Sequence, residues 1–307
     1  MQRLVIVTYH YIRDLPNTPF PKIKGLLTEE FRKQIDYLVS RYDMASWDSV
    51  LDFLHGDYIP KRDICYLTFD DGLKDHYMNV MPILLEKGVM GTFFPITTCL
   101  EESRVTSVHK NHFLMAKLEF NDLYRGFVNC ISDLAPEAKL EADPKVVREM
   151  YPWDEPDVAT YKYYVNHSLP AESERVLDIL FQENFPDEHN FASNLYMNWS
   201  EVEELQRQGM SIGAHSHQHR AFSKLSPSDQ VNDLQTCRDI LLKHIPNLTN
   251  IAFCYPYGQL NSFMNQTPYL VQEAGFSAAL TTMPGWNYPD TNRYLLNRLD
   301  TRNVCQL

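Results

Sequence analysis

Three absences narrow the reading before any motif is considered. The 307-residue chain has no apolar run approaching the roughly 18 residues that a membrane span needs, so no integral membrane segment is expected. Its six cysteines (65, 99, 130, 237, 254 and 305) show no Cys-X-X-Cys or other metal-ligand spacing. Basic residues are outnumbered, 28 against 40 acidic ones, giving a net charge of −12. That excess repels nucleic acid and anionic lipid at long range, and both are discounted as partners. No internal repeat or low-complexity stretch interrupts the chain. The amino end also lacks export features. Leu4-Val5-Ile6-Val7-Thr8-Tyr9 is too short for a signal hydrophobic region and ends without a small-residue cleavage site, so it is read as a first strand. Reduced thiols and a cytoplasmic location are the matching expectations.

Strand and helix signals then alternate. Strands are expected at 3–9, 64–69, 91–96, 211–214, 251–254 and 277–281. Between them, Thr28 is read as the cap of a helix over 29–40, whose apolar stripe is Phe31, Ile35, Leu38 and Val39. Further helices are expected over 77–87, from Ser200 with a capping box completed by Glu203, from Ser226-Pro227 to about His244, and over 268–274. Such alternation implies a parallel sheet, as a barrel or a doubly wound sheet, with chemistry at the carboxyl ends of the strands. Residues 100–195 break the rhythm, rich in aromatics and acids, with a helical stretch around 172–181. We read them as a mostly helical insertion capping the site, within a single catalytic domain spanning 1–307.

Three expected strand ends deliver polar groups. Thr68-Phe69 leads to Asp70-Asp71-Gly72, Gly213-Ala214 leads to His215-Ser216-His217-Gln218-His219, and Phe253-Cys254 leads to Tyr255-Pro256-Tyr257-Gly258. Adjacent carboxylates repel unless a cation lies near them. Histidines four apart face one way on a helical turn and can chelate one ion. Two imidazoles and one carboxylate suit zinc, cobalt or iron and leave room for a water, which the second carboxylate could deprotonate. Ser216 has no histidine–acid pair to activate it, which disfavours a serine nucleophile.

The segments Thr68-Phe69-Asp70-Asp71-Gly72, His215 to His219, and Tyr255-Pro256-Tyr257-Gly258 resemble the first three motifs of the polysaccharide deacetylases (carbohydrate esterase family 4). Gly91-Thr92-Phe93-Phe94-Pro95 and the helix start at Leu225-Ser226 are similar too. The resemblance covers most of 1–100 and 196–300. It implies an α/β fold, a distorted and incomplete (β/α) barrel, and removal of acetyl groups from sugars. It also implies one divalent ion, zinc first with cobalt, iron or nickel as alternatives, held by Asp71, His215 and His219. Asp70 becomes the general base, and Tyr257 supplies a backbone N–H to the oxyanion; His217 is not a ligand in that pattern.

Two departures matter. Cys254 stands where the family usually has an arginine that orients the base, and Arg298 is the candidate to replace it. The usual carboxyl-terminal Leu-X-His is absent, and His10, in Tyr9-His10, resembles the Tyr-His of one branch of the family. His10 is therefore the candidate general acid. The expected substrate is a small or lipid-linked N-acetylated sugar inside the cell. Two alternatives keep the scaffold: hydrolysis of a non-sugar amide or imide at the same metal, or a non-catalytic sugar-binding protein.

Overall fold

Parallel strands buried on both faces need continuous apolar sequence, and the first strand supplies it, with all six residues of β1 (Leu4–Tyr9) buried. In the computed structural model, which describes residues 2–306, there follow β2 (Asp43–Met44), β3 (Ile64–Asp71), β4 (Gly91–Pro95), β5 (Ser211–Ile212), β6 (Ala252–Cys254), β7 (Ala278–Leu280) and β8 (Leu299–Asp300). One sheet runs in the order β5-β4-β3-β1-β8, with β2 paired to the start of β3, and β6 pairs with β7. All of these strand pairings are parallel, while the isolated bridges Leu4–Asn287 and Leu73–Tyr196 are antiparallel. Single parallel bridges join Ala214, just after β5, to Phe253 of β6, and Leu296, just before β8, to Leu280 of β7. The result is a distorted, incomplete (β/α) barrel.

Strand alternation sorts the core into two sets. Val5, Val7, Cys65, Leu67, Phe69, Phe93, Phe253 and Ala279 pack with the surrounding helices: α1 (Thr28–Arg41) through Phe31, Ile35 and Leu38, and α12 (Pro227–His244) through Leu234, Cys237 and Leu241. Their strand neighbours Leu4, Ile6, Ile64, Tyr66, Phe94, Ala252, Cys254, Ala278 and Leu280 face the other way and pack with α2 (Trp47–His55). This second series runs on through Thr8, Thr68 and Asp70, so polar groups replace apolar ones on that face at the carboxyl ends of β1 and β3. The remaining helices of this part are α3 (Met81–Lys87), α4 (Thr97–Glu101), α11 (Trp199–Arg207) and α13 (Thr267–Glu273).

Local details differ from expectation for identifiable reasons. Thr28 lies inside α1; extended Leu27 precedes it and its carbonyl accepts the Phe31 N–H at 2.9 Å. Val39 falls off the buried stripe and is half-exposed. The capping box forms two residues early: Asn198 accepts from the Glu201 N–H at 3.0 Å, and the Glu201 carboxylate accepts from the Asn198 N–H at 2.8 Å. The helix expected from 77 opens with a wider π-type turn, His76–Val80, before α3 begins.

The chain divides into two compact units. The first comprises Met1–Asp14, Lys24–Arg104 and Ala192–Leu307, and carries the strands. The second comprises Leu15–Ile23 and Val105–Phe191. It contains α5 (Ser107–Lys117), α6 (Phe120–Leu134), α7 (Pro144–Met150), α8 (Pro156–Tyr163) and α9 (Pro170–Asn184), while α10 (Glu188–Leu195) spans the division. Its core includes Phe20 against Phe113 and Phe191, ring centroids 5.0 and 6.1 Å away. Phe20 thus ties the short 15–23 segment to helices far along the chain, a membership that the 100–195 boundary leaves out.

Candidate metal centre and active site

At the end of β3, Asp70 is 1% exposed and points to the side of Thr8 and Thr68. Arg298, also 1% exposed, donates from both Nη atoms to the two carboxylate oxygens, at 2.8 and 2.7 Å. The same guanidinium donates to Thr281 O at 2.7 Å and to Cys254 Sγ at 3.0 Å. Burial would push the Asp70 carboxyl upward, but the Arg298 charge and hydrogen bonds outweigh it and hold the group far below the usual carboxylate range. Burial pushes the Cys254 thiol up, so it remains protonated and donates to Asp70 Oδ2 at 3.4 Å.

Asp71, one step on, turns away. Its backbone is left-handed (φ 76°), as is that of Gly72 (φ 66°), where a Cβ would come within 2.8 Å of Pro95 Cα. The Asp71 Oδ1 lies 3.4 Å from His215 Nε2 and 3.6 Å from His219 Nε2, and the two Nε2 atoms are 3.2 Å apart. Four-coordinate zinc with ligands at ~2.0–2.1 Å requires ligand separations of about 3.3 Å, so the three side chains fit such an ion. Imidazole tautomery agrees. His215 Nδ1 lies 2.9 Å from the Cys254 carbonyl, which only accepts, leaving the Nε2 lone pair directed at the triangle.

The two histidines are not on a helical turn, contrary to the spacing argument. They belong to a loop after β5, with Ser216 (φ 62°) and His219 (φ 56°) both left-handed. Ser216 Oγ accepts the His219 N–H at 2.8 Å. Asp233, on α12, accepts the N–H groups of His217 and Gln218 at 2.8 and 3.1 Å. Thr97 and Thr98, opening α4, donate backbone N–H to the carbonyls of Ser216 and His217. His217 is turned aside, with Nδ1 2.9 Å from Thr97 Oγ1. Sequence reasoning missed Asp233 and Thr97. The Ser226-Pro227 signal marks where α12 starts, but not which of its residues faces the loop.

The other two candidate residues are more open. His10 follows β1; its side chain is 43% exposed and its Nε2 lies 3.8 Å from Asp70 Oδ2. Tyr257 is 42% exposed, with its ring centroid 5.3 Å from that of His219. It too is left-handed (φ 63°), and its carbonyl accepts from Thr282 Oγ1 at 2.7 Å. Asp71, Ser216, His219 and Tyr257 are four of the six described non-glycine residues with positive φ. Strained backbone concentrates where side chains must converge.

A family model described as Polysaccharide deacetylase matches residues 57–152 and 164–279. The chain belongs to the polysaccharide deacetylase family. It is accordingly a hydrolase of the amide-cleaving kind. Solved structures share the fold at low identity. A Streptococcus pyogenes deacetylase, PplD, in complex with acetate is 17% identical with a TM-score of 0.61, covering 99% of this chain and 97% of that one. IcaB from Ammonifex degensii is 17% identical with a TM-score of 0.60, covering 100% and 95%. A de-N-acetylase from Aggregatibacter actinomycetemcomitans is 15% identical with a TM-score of 0.58, covering 97% and 94%. No curated protein matches.

Deacetylases of this family generally use a divalent ion, and among the described residues two groups of side chains bring ligand atoms together: Asp71, His215 and His219, or Asp70, His215 and Cys254. Chemistry separates them. In the second group both Asp70 oxygens and the Cys254 sulfur already receive the Arg298 guanidinium, and a cation would have to lie against that buried positive charge. In the first group the three donor atoms face one another at 3.2–3.6 Å. No described helix is long and apolar enough to cross a membrane.

Proposed function

We propose that this protein removes the acetyl group from an N-acetylated sugar, using a divalent ion held by Asp71, His215 and His219, with zinc first among the candidates. The observation that carries the reading is a triangle of donor atoms 3.2–3.6 Å apart beside a second carboxylate kept ionised by a buried guanidinium. When bound, the ion supplies Lewis acidity, polarising the acyl carbonyl and lowering the pKa of a water from 15.7 to about 7.

Asp70 would accept a proton from the attacking water as the water oxygen adds to the acyl carbon, and would release it to solvent after acetate leaves. Arg298 fixes the carboxylate plane, so the base meets the water in one orientation. The backbone N–H of Tyr257 donates to the developing oxyanion. When the C–N bond breaks, His10 gives a proton to the departing amine and regains one from solvent, to which its ring is open. Acetate and a free amino sugar result. A reducing, cytoplasmic compartment and a small or lipid-linked sugar belong to the same proposal. Its support is five described cysteines that are free thiols, four of them buried.

Acetate release by the purified, zinc-loaded protein tests this reading. Release from N-acetylglucosamine oligomers or an N-acetylated sugar nucleotide is expected. Stoichiometric zinc with no acetate from any N-acetylated sugar would contradict it.

A further inference from the structure

His10 has a weakly held side chain and a firmly held backbone. Its ring is 43% exposed and makes its closest approach to Asp70 at 3.8 Å, beyond hydrogen-bonding distance. The peptide groups behind it are tied down one after another. The His10 carbonyl accepts from His76 Nε2 at 3.0 Å. The Ile12 N–H donates to Asp75 Oδ2 at 3.1 Å, and the Arg13 Nε donates to the same oxygen at 2.7 Å. The Ile12 carbonyl accepts from Asn79 Nδ2 at 2.7 Å. On the other side, Leu26 N–H donates to the Tyr11 carbonyl and Arg13 N–H to the Leu26 carbonyl.

Asp75, His76 and Asn79 come from one short piece of chain, the π-type turn His76–Val80 and the residue before it. The Met81 N–H reaches back five residues to the His76 carbonyl, one more than in an α-helix. Such wide turns inside helices recur at functional sites. His76 is fully buried against the stacked rings of Phe69 and Phe93, with centroids 5.7 and 5.8 Å away. Burial drives its imidazole down to about 4, so it stays neutral and offers Nε2–H to the carbonyl. A neutral hydrogen-bonded histidine in a core explains part of this. It does not explain why three side chains from one turn all reach the backbone of 10–13. The segment leaving β3 thus supplies the two site carboxylates first and the anchors of His10 a few residues later.

We propose that Asp75, His76 and Asn79 form a clamp that positions His10 for proton delivery, with His76 and Asn79 as positioning residues for that step. The clamp rests on the reading of His10 as general acid. It sets the His10–Asp70 spacing through one rigid piece rather than two independent loops, and a shift of about 1 Å at such a group can cost ~100-fold in rate.

Leaving-group dependence tests it, because an amine must be protonated to depart and a nitrophenolate need not be. Zinc-loaded variants are assayed on an N-acetylglucosamine oligomer and on 4-nitrophenyl acetate, with zinc content and melting temperature measured alongside. His10→Ala is expected to lose about 100-fold or more on the oligomer and far less on the ester. His76→Phe, which keeps the ring, and Asn79→Leu are expected to lose about tenfold or more on the oligomer while holding the ester rate. His76→Gln, which keeps an N–H donor, should recover most of the loss. If His10→Ala discriminates between the substrates but the His76 and Asn79 variants do not, the clamp is overturned and the acid assignment stands. If His10→Ala itself does not discriminate, the acid assignment falls and the clamp falls with it. Should His76→Phe lose zinc or melt early, Asn79→Leu decides alone.

Discussion

Asp70 and Asp71 are chemically the same and one backbone step apart, yet their surroundings are opposite. Asp70 continues the strand face of Leu4, Ile6, Ile64 and Tyr66 and meets a buried guanidinium, a thiol and a hydroxyl. Asp71 swings out through a left-handed backbone and meets two imidazole nitrogens. The first carboxylate has a permanent countercharge covalently fixed to the chain. The second has partners that are neutral unless protonated and can share a removable cation. A strand end therefore gives two adjacent carboxylates different surroundings, through side-chain alternation and the left-handed backbone at Asp71.

The largest effect on stability should come from breaking the permanent pair. Arg298→Leu leaves Asp70 buried without its countercharge, with both side chains 1% exposed or less. Unfolding in urea should show a loss of about 3–5 kcal/mol. His219→Ala in the metal-free protein should lose much less. Equal losses would erase the contrast between the two sides.

How much of this was legible in sequence follows the same division. Continuous apolar runs announced β1, β3 and β4, because parallel strands buried on both faces tolerate little else. The order of the three polar strand ends and the family resemblance brought Asp70, Asp71, His215 and His219 forward together. Arg298 was reachable only by asking what replaces the arginine missing at Cys254, since nothing in its own neighbourhood marks it. The histidine loop was misread as a helical turn because spacing by four fits both. What fixes the loop is the Asp233 carboxylate and two left-handed residues, Ser216 and His219, and backbone sign leaves no pattern in such a run. The grouping of 15–23 with the second unit left no pattern in the sequence either. Phe20 belongs to the second core through contacts across more than ninety residues.

Cys254→Ala sharpens the comparison at a smaller scale. The thiol gives a weak hydrogen bond to Asp70 and accepts one from Arg298, while the carboxylate keeps its two guanidinium bonds. Urea unfolding should show a loss of about 1 kcal/mol, with zinc binding unchanged.

The smallest effect is expected at a carboxylate near the surface. Glu101 accepts from Trp199 Nε1 at 2.7 Å and lies 2.6 Å from His244 Nε2 and 3.3 Å from Lys243 Nζ. Partial burial pushes its carboxyl up, but these partners outweigh it and leave it below the ordinary glutamate value. A depressed carboxylate stabilises the fold above the unfolded value of about 4.3 and loses that contribution as pH falls through the folded one. Glu101→Gln should therefore cost about 0.5 kcal/mol at pH 7, a cost that shrinks as pH falls through the folded value. Stability measured against pH checks the sign.

The direct test of the two-carboxylate account is zinc affinity and acetate release measured together in Asp71→Asn and Asp70→Asn. Asp71→Asn should weaken zinc binding by more than the ~100-fold reached when only an outer-shell partner is lost. Asp70→Asn should hold zinc within about tenfold of the parent while releasing acetate ~100- to 10,000-fold more slowly. Loss of zinc from both variants alike, or undiminished turnover in Asp70→Asn, would contradict the division of labour drawn from the end of β3.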